Sequence, residues 1–255
     1  MRGLKDTIKV APEGPVVVKP STVSEQRLLE TGLPQAAWRW LANLATVGIF
    51  GLGLLATAWR GTGLLAAGVI AAAALLDGVD GALARWAGGP TVTGAVLDIL
   101  ADFTAFGVAP AGLALGVAGA PGMARTTSMA WPLGLVLGLY LAAALARLVR
   151  SARLAFSKPA GIYVGLPMPT AGCLVAGLAL NLPVVWVGAA ILLISGLAIS
   201  RRQYPSVPWM WQHRQRSLLI FVAITLVVTA FSPRAGLLVA AAVCAVYPWV
   251  RPVRA

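Results

Sequence analysis

The chain carries eight acidic side chains, and they are unevenly placed. Asp6, Glu13, Glu25 and Glu30 lie in a polar N-terminal stretch. The other four are all aspartates, Asp77, Asp80, Asp98 and Asp102, and neither Asp nor Glu occurs from residue 103 to residue 255. All four sit in or beside strongly apolar segments. A carboxylate inside a membrane span costs about 2.5–3.5 kcal/mol on insertion scales, so four independent ones would cost on the order of 10–14 kcal/mol. Like charges packed together also repel. Such a group persists only if positive charge neutralises it or if several members keep their protons.

Spacing predicts that the four come together. Asp77 and Asp80 are three residues apart, Asp98 and Asp102 four apart, so each pair shares one face of a helix. Gly88-Gly89-Pro90 lies between the pairs and reads as a turn. Asp80 stands nine residues before Gly89 and Asp98 nine after; Asp77 stands twelve before and Asp102 thirteen after. In an antiparallel helical hairpin, equal distance from the turn means equal depth, and at 1.5 Å per residue the inner pair lies roughly 13 Å from the turn. Eight carboxylate oxygens facing one cavity suit hard divalent cations, Mg²⁺ or Mn²⁺. Four carboxylates exceed what one Mg²⁺ with retained waters needs, and they suit a two-metal site for phosphoryl displacement. A structural acidic cluster or a divalent-cation transporter would use the same residues.

The elements that must hold these groups follow from composition. Hydrophobic residues make up 59% of the chain and charged ones 11%, against about a quarter charged in soluble domains, so the solvent is lipid. Residues 1–35 are the soluble-looking part: Pro12, Pro15 and Pro20 break its beginning, and Thr22 to Leu33 fits a short amphipathic helix. Apolar segments follow near 36–59, 62–86, 94–119, 129–151, 167–181, 182–200, 216–232 and 235–250. The expected fold is an all-α, polytopic transmembrane bundle of six core spans plus about two extra, with 36–252 as its membrane domain. Strands are set aside, because open edges cannot face lipid and the runs do not alternate as barrel strands do. The 28 glycines suit close helix packing in a membrane.

The net charge of +12 raises the question of nucleic acid. The basic residues instead occupy short breaks between apolar runs, so no nucleic-acid partner is expected. Arg85, then Arg147, Arg150, Arg153 and Lys158, then Arg201, Arg202, Arg214 and Arg216 fall in even-numbered loops, with Arg251 and Arg254 at the C-terminus. Odd-numbered loops carry only Arg60, Arg125 and Arg234. The positive-inside bias then puts the even loops and both termini in the cytoplasm, in a multi-pass cell-membrane protein. Trp38, Trp40, Trp59, Trp86, Trp131 and Trp249 fall near span ends, as interface anchors do. Cys173 and Cys244 lack metal-site or disulfide-framework spacing, His213 reads as solvated in a basic loop, and no cleavable signal peptide is visible.

The run Asp77-Gly78-Val79-Asp80-Gly81-Ala82-Leu83-Ala84-Arg85, then eight residues, Gly94, three residues, Asp98, three residues and Asp102 resembles the signature of the CDP-alcohol phosphotransferase family, D-x-x-D-G-x-x-A-R-x8-G-x3-D-x3-D. Every specified position matches. The resemblance implies that the four aspartates hold two metal ions over a diphosphate and that Asp102 is also the general base for the acceptor hydroxyl. It implies that Gly81 and Ala84 let a cytidine nucleotide lie against the second helix, that Arg85 contacts the diphosphate, and that Gly94 lets spans two and three pack tightly. Asn43-Leu44-Ala45-Thr46 resembles the family's nucleotide-facing N-x-x-T feature, with Ala42 where a proline usually precedes it. Thr91 sits where the family often has a small hydroxyl near the phosphates. Homodimers are common in the family.

Two more runs are similar to those of bacterial phosphatidylserine synthases. Leu97 to Pro110 is similar to "LDSLAD…SFGVAPA", and Tyr163-Val164-Gly165-Leu166-Pro167-Met168-Pro169-Thr170-Ala171 to "F-x-G-L-P-x-P-A-A". The implied reaction moves a phosphatidyl group from CDP-diacylglycerol to a small alcohol, with serine first and inositol phosphate or glycerol phosphate as alternatives. Arg147-Leu148-Val149-Arg150 matches only the start of that branch's R-L-x-R-F-N-like sequence, since Ser151-Ala152 follows. Arg147 and Arg150, three apart, share a face at the end of span four. They are candidates for an acceptor carboxylate or phosphate, or for plain positive-inside anchoring.

Overall fold

The computed structural model describes residues 34–59, 63–89, 91–119, 127–155, 162–205 and 232–250, together with Leu219, Thr225 and Val228. The amphipathic stretch before residue 34, His213, Lys158 and most of the apolar segment near 216–232 lie outside these residues. Seven helices are described: α1 Gln35–Ala58, α2 Gly63–Trp86, α3 Val92–Ala118, α4 Thr127–Ala155, α5 Met168–Asn181, α6 Val184–Ile199 and α7 Pro233–Val250. Prolines set several of the starts. Pro34, Pro167 and Pro183 precede α1, α5 and α6 in extended conformation, where a missing N–H costs nothing.

The expected all-α transmembrane bundle of six core spans plus about two extra is met by a mostly helical structure. Among the described residues four stretches, Gln35–Ala58, Gly63–Trp86, Val92–Ala118 and Trp131–Arg153, are long and apolar enough to cross a membrane. Helices α5 and α6 have 14 and 16 residues. At 1.5 Å per residue they reach about 21 and 24 Å, short of a hydrocarbon core about 30 Å thick. Strands do occur, contrary to the expectation of none: β1 Ile162–Val164 pairs antiparallel with β2 Gln203–Pro205. Both lie outside the four long stretches, so the rule against open edges in lipid is not broken.

Helices α1 and α2 pack along their lengths, and α5 sits centrally, touching α2, α3, α6 and α7. The interior is built of small residues such as Ala67, Ala73, Ala105, Ala144 and Ala176, which permit close backbone approach where lipid supplies no hydrophobic drive for association. Large side chains such as Leu44, Leu75, Trp131 and Leu193 point outward. At one end of the hairpin partners α1 and α2, the Trp38 and Trp86 rings meet edge-on with centroids 5.3 Å apart. Gln35 Nε2 donates to Ala87 O at 2.9 Å beside them.

Helix α3 is not uniform. It is α-helical at Val92–Asp102, π-helical at Phe103–Val108 and α-helical again at Ala109–Ala118. A π turn inserts one extra residue, a rotation of about 100° at 3.6 residues per turn. The acidic half of α3 and its apolar continuation can therefore present different faces. Three neighbours grip the π segment. The Tyr140 hydroxyl of α4, fully buried, donates to Phe106 O. A Cβ at Gly53 of α1 would lie 2.8 Å from the Ala105 backbone, and one at Gly172 of α5 would lie 2.9 Å from Phe106 Cα. Replacing Tyr140 with Phe strands a buried carbonyl and should cost about 1–3 kcal/mol. Gly172→Val should cost at least as much, since backbone must move. Thermal unfolding in detergent, with both midpoints below wild type, checks this.

Candidate active site

Helix α2 presents Asp77 and Asp80, and the first part of α3 presents Asp98 and Asp102. Asp77, Asp98 and Asp102 each offer a carboxylate oxygen such that all three atoms lie within 4.8 Å of one another. Asp102 is 5% exposed, and its Oδ1 has no hydrogen-bond partner. Asp77 is half-buried and Asp98 is exposed, so the cluster is open on one side. Asp80, 6% exposed, stands one turn along α2 from Asp77. Its Oδ2 accepts from the Thr46 hydroxyl of α1 at 2.9 Å. Ala42 O lies 3.1 Å from the same hydroxyl. One proton serves two acceptors, and the closer carboxylate takes it.

Positive charge comes from two directions. Arg147 of α4 is 4% exposed, with its Nε unpartnered, and its guanidinium is near Asp102, Tyr163, Asp77 and Asp98. Arg85, exposed in the last turn of α2, folds back over the helix. A Cβ on Gly81 would come within 3.5 Å of its Nη1, and its charge also reaches Asp80 and Tyr163. Four ionised carboxylates would exceed the two guanidiniums by two negative charges. An all-oxygen donor set with an orphaned buried oxygen fits a hard divalent cation.

The remaining sequence candidates divide. Asn43, Thr91 and Gly94 meet at the start of α3. Thr91 Oγ1 caps the helix by accepting from Gly94 N–H at 3.0 Å, and a Cβ on Gly94 would lie 3.0 Å from that oxygen and 3.8 Å from Asn43 Oδ1. Gly94 thus makes room for its own cap and for α1, whereas the sequence reading placed it between spans two and three. Ala84 is half-buried on α2, one residue before Arg85. Arg150 parts company with Arg147: it donates to Ile199 O at 2.7 Å, Ala198 O at 3.0 Å and Ser200 O at 3.3 Å, all at the C-terminal end of α6. Residues three apart differ by about 60° around a helix and 4.5 Å along it. Two long side chains starting so can reach different elements, and unpaired terminal carbonyls attract the second.

Sequence reasoning missed two features. The Thr46–Asp80 bond joins a residue taken as nucleotide-facing to one taken as a metal ligand. Tyr163, on β1, stands near Asp77, Arg85, Arg147 and Asp102. Its one signal was its place in the run before Gly165-Leu166-Pro167. Cys173 and Cys244 are free.

With this geometry in view, residues 39–200 match the family model described as CDP-alcohol phosphatidyltransferase, and the chain belongs to that family. It is 34% identical over 158 residues to the CDP-diacylglycerol–serine O-phosphatidyltransferase of Mycobacterium leprae, an alignment covering 55% of this chain and 50% of that protein. It is 36% identical over 160 residues to the proteins of the same description in Mycobacterium bovis and Mycobacterium tuberculosis, covering 55% of this chain and 53% of each. The chain spans about half the length of the curated relatives it matches.

Mn²⁺ titration followed by electron paramagnetic resonance tests the cluster without any substrate. Asp98→Asn and Asp102→Asn should each weaken binding strongly. Thr46→Val, which removes a partner of a proposed ligand, should weaken it by about tenfold, at the low end for such partners.

Proposed function

We propose that this protein is a metal-dependent phosphatidyltransferase that moves the phosphatidyl group of CDP-diacylglycerol to the hydroxyl of serine and releases CMP. The observation that carries the reading is the convergence of Asp77, Asp98 and Asp102 with the buried Arg147 in an apolar bundle. Family membership and the description borne by the mycobacterial relatives support the choice of donor and of serine.

The four aspartates would hold two Mg²⁺ or Mn²⁺ ions, which would supply positive charge to the pyrophosphate oxygens and the leaving group. The charges then balance. Two divalent ions overcompensate the four carboxylates and two guanidiniums by two units, and a diphosphate diester brings two negative charges. Gly81 and Ala84 keep the surface of α2 low, so the cytidine nucleotide can lie against it. Asn43 and Thr46 border the nucleotide from α1, with Thr91 and Gly94 at the start of α3. Arg85, free to swing from its exposed position, contacts the diphosphate. Asp102 accepts the proton of the serine hydroxyl. That oxygen attacks the phosphorus next to the diacylglycerol, and the bond from this phosphorus to the bridging oxygen breaks, so CMP departs with the bridging oxygen.

Residues 36–252 would form the membrane domain of a multi-pass cell-membrane protein with six core spans plus about two extra, and residues 1–35 a cytoplasmic tail. Both termini, and with them the acidic site near the turn at Gly88–Gly89, would lie on the cytoplasmic side, a reading supported by the charge bias of the loops. The donor's acyl chains then remain in the bilayer while its head group enters from the side.

Purified protein given Mn²⁺, CDP-diacylglycerol and labelled serine should release CMP and form labelled phosphatidylserine, with chelation of the metal abolishing both. Asp102→Asn should lower kcat by about 10²–10⁴-fold, the range for loss of a general base. Absence of CMP with serine, inositol phosphate and glycerol phosphate alike removes the enzyme assignment. CMP release with one of the other two alone reassigns the acceptor.

A further inference from the structure

Pro110 creates a problem inside α3 that a neighbouring helix helps to solve. In an α-helix each carbonyl accepts from the N–H four residues on. Four residues beyond Phe106 stands Pro110, which has no N–H to give. Both residues are fully buried, so bulk water does not supply the missing donor, and an unpaired carbonyl there would cost about 1–3 kcal/mol. The chain answers in two ways. Over Phe103–Val108 it winds into a π turn, in which N–H groups reach back five residues instead of four, as the Ala109 N–H does to Thr104 O. The Tyr140 hydroxyl of α4 then donates to the Phe106 carbonyl.

The place of this turn gives it leverage on the acidic cluster. It begins at the residue after Asp102. Beyond it, Ala109, Ala111, Leu113 and Ala114 anchor α3 in the interior. Before it lie Asp98 and Asp102. With the anchored half held, losing the extra residue of the π turn would rotate the acidic half by about 100°. On a helix of 2.3 Å radius that rotation alone moves each Cα by about 3.5 Å. The carboxylate oxygens of Asp77, Asp98 and Asp102 lie within 4.8 Å of one another, so a shift of that size would take two of them away from the third. Gly53 and Gly172 let α1 and α5 press on the turn, but close packing is not directional. The Tyr140 bond is. Tyr140 is itself held firmly, fully buried between Leu137 and Ala144 on a helix that packs along α6.

We propose that Tyr140 is a positioning residue for the metal cluster: by donating to the carbonyl that Pro110 cannot serve, it keeps the π turn in place and so aims Asp98 and Asp102 at Asp77. Tyr140 acts through the winding of α3, and Pro110 is what makes its hydroxyl necessary. The inference rests on the reading of the aspartates as metal ligands and is independent of which alcohol is the acceptor.

The test uses the full chain in detergent and compares wild type, Y140F and the double variant Y140F/P110A. Mn²⁺ affinity is read by electron paramagnetic resonance, and the thermal midpoint is read on the metal-free protein. Y140F should weaken Mn²⁺ binding by about tenfold, the low end for loss of a partner outside the ligand shell, and should lower the midpoint. Adding P110A supplies the missing backbone N–H to the Phe106 carbonyl. The midpoint should then climb back toward wild type, while the Mn²⁺ affinity stays about tenfold down, because the helix no longer needs its π turn. A purely structural role for Tyr140 would restore stability and affinity together, and that result overturns the inference. So does an affinity within twofold of wild type in Y140F, which leaves the metal site itself standing. A midpoint in the double variant as low as in Y140F overturns it as well, since Pro110 is then not what makes the hydroxyl necessary. If Y140F alone does not fold, the double variant decides. Absence of Mn²⁺ binding by wild type removes the metal site and the inference with it.

Discussion

Carboxylates held a few ångströms apart in a medium that solvates them poorly repel one another and lose their hydration at once. That tension, among Asp77, Asp98 and Asp102 with Asp80 one turn away, is the constraint the rest of the fold answers. Two spans must bring the groups to one depth, so α2 and α3 form a hairpin about Gly88 and Gly89, both with positive φ. Positive charge must sit within reach, so Arg147 is buried in the same bundle. One carboxylate, Asp80, is steadied by a hydroxyl from a third helix. A bundle of alanines and glycines would need none of this for its own cohesion.

Precision at the acidic cluster is transmitted from the packing behind it. The π segment begins at the residue after Asp102 and is gripped by α1, α4 and α5 through two glycines and the Tyr140 hydroxyl. Small residues let backbones touch, and touching backbones fix helix rotation in a way that flexible side chains would not. The rotation of α3 decides where two of the four carboxylates point. The glycines of α1 and α5 are thus tied to the chemistry although they stand apart from it.

The two arginines of α4 show how one short motif divides its labour. Arg147 turns inward to the aspartates, and Arg150 turns to the frayed carbonyls at the end of α6. Both satisfy negative electrostatic potential, one from side chains and one from a helix terminus. The result joins the acidic site on α2 and α3 to the β1–β2 pair and to α6.

The sequence alone determined the membrane setting, the acidic quartet and its helical spacing. Those depend on residue type and on a period of 3.6, both readable along the chain. Asp77 and Asp80, or Asp98 and Asp102, share a face in any helix that contains them, and the glycine turn midway sets their depth. The tertiary structure decided what spacing cannot carry. It turned Thr46 onto Asp80, gave Thr91 to the cap of α3, sent Arg150 to α6, and brought Tyr163 from a distant strand to the aspartates. It also gave two of the expected spans helices of only 14 and 16 residues. Each of these is a contact between residues far apart in the chain or a choice among rotations of a long side chain. Local periodicity leaves those free, and only the packing of all the helices at once removes the freedom.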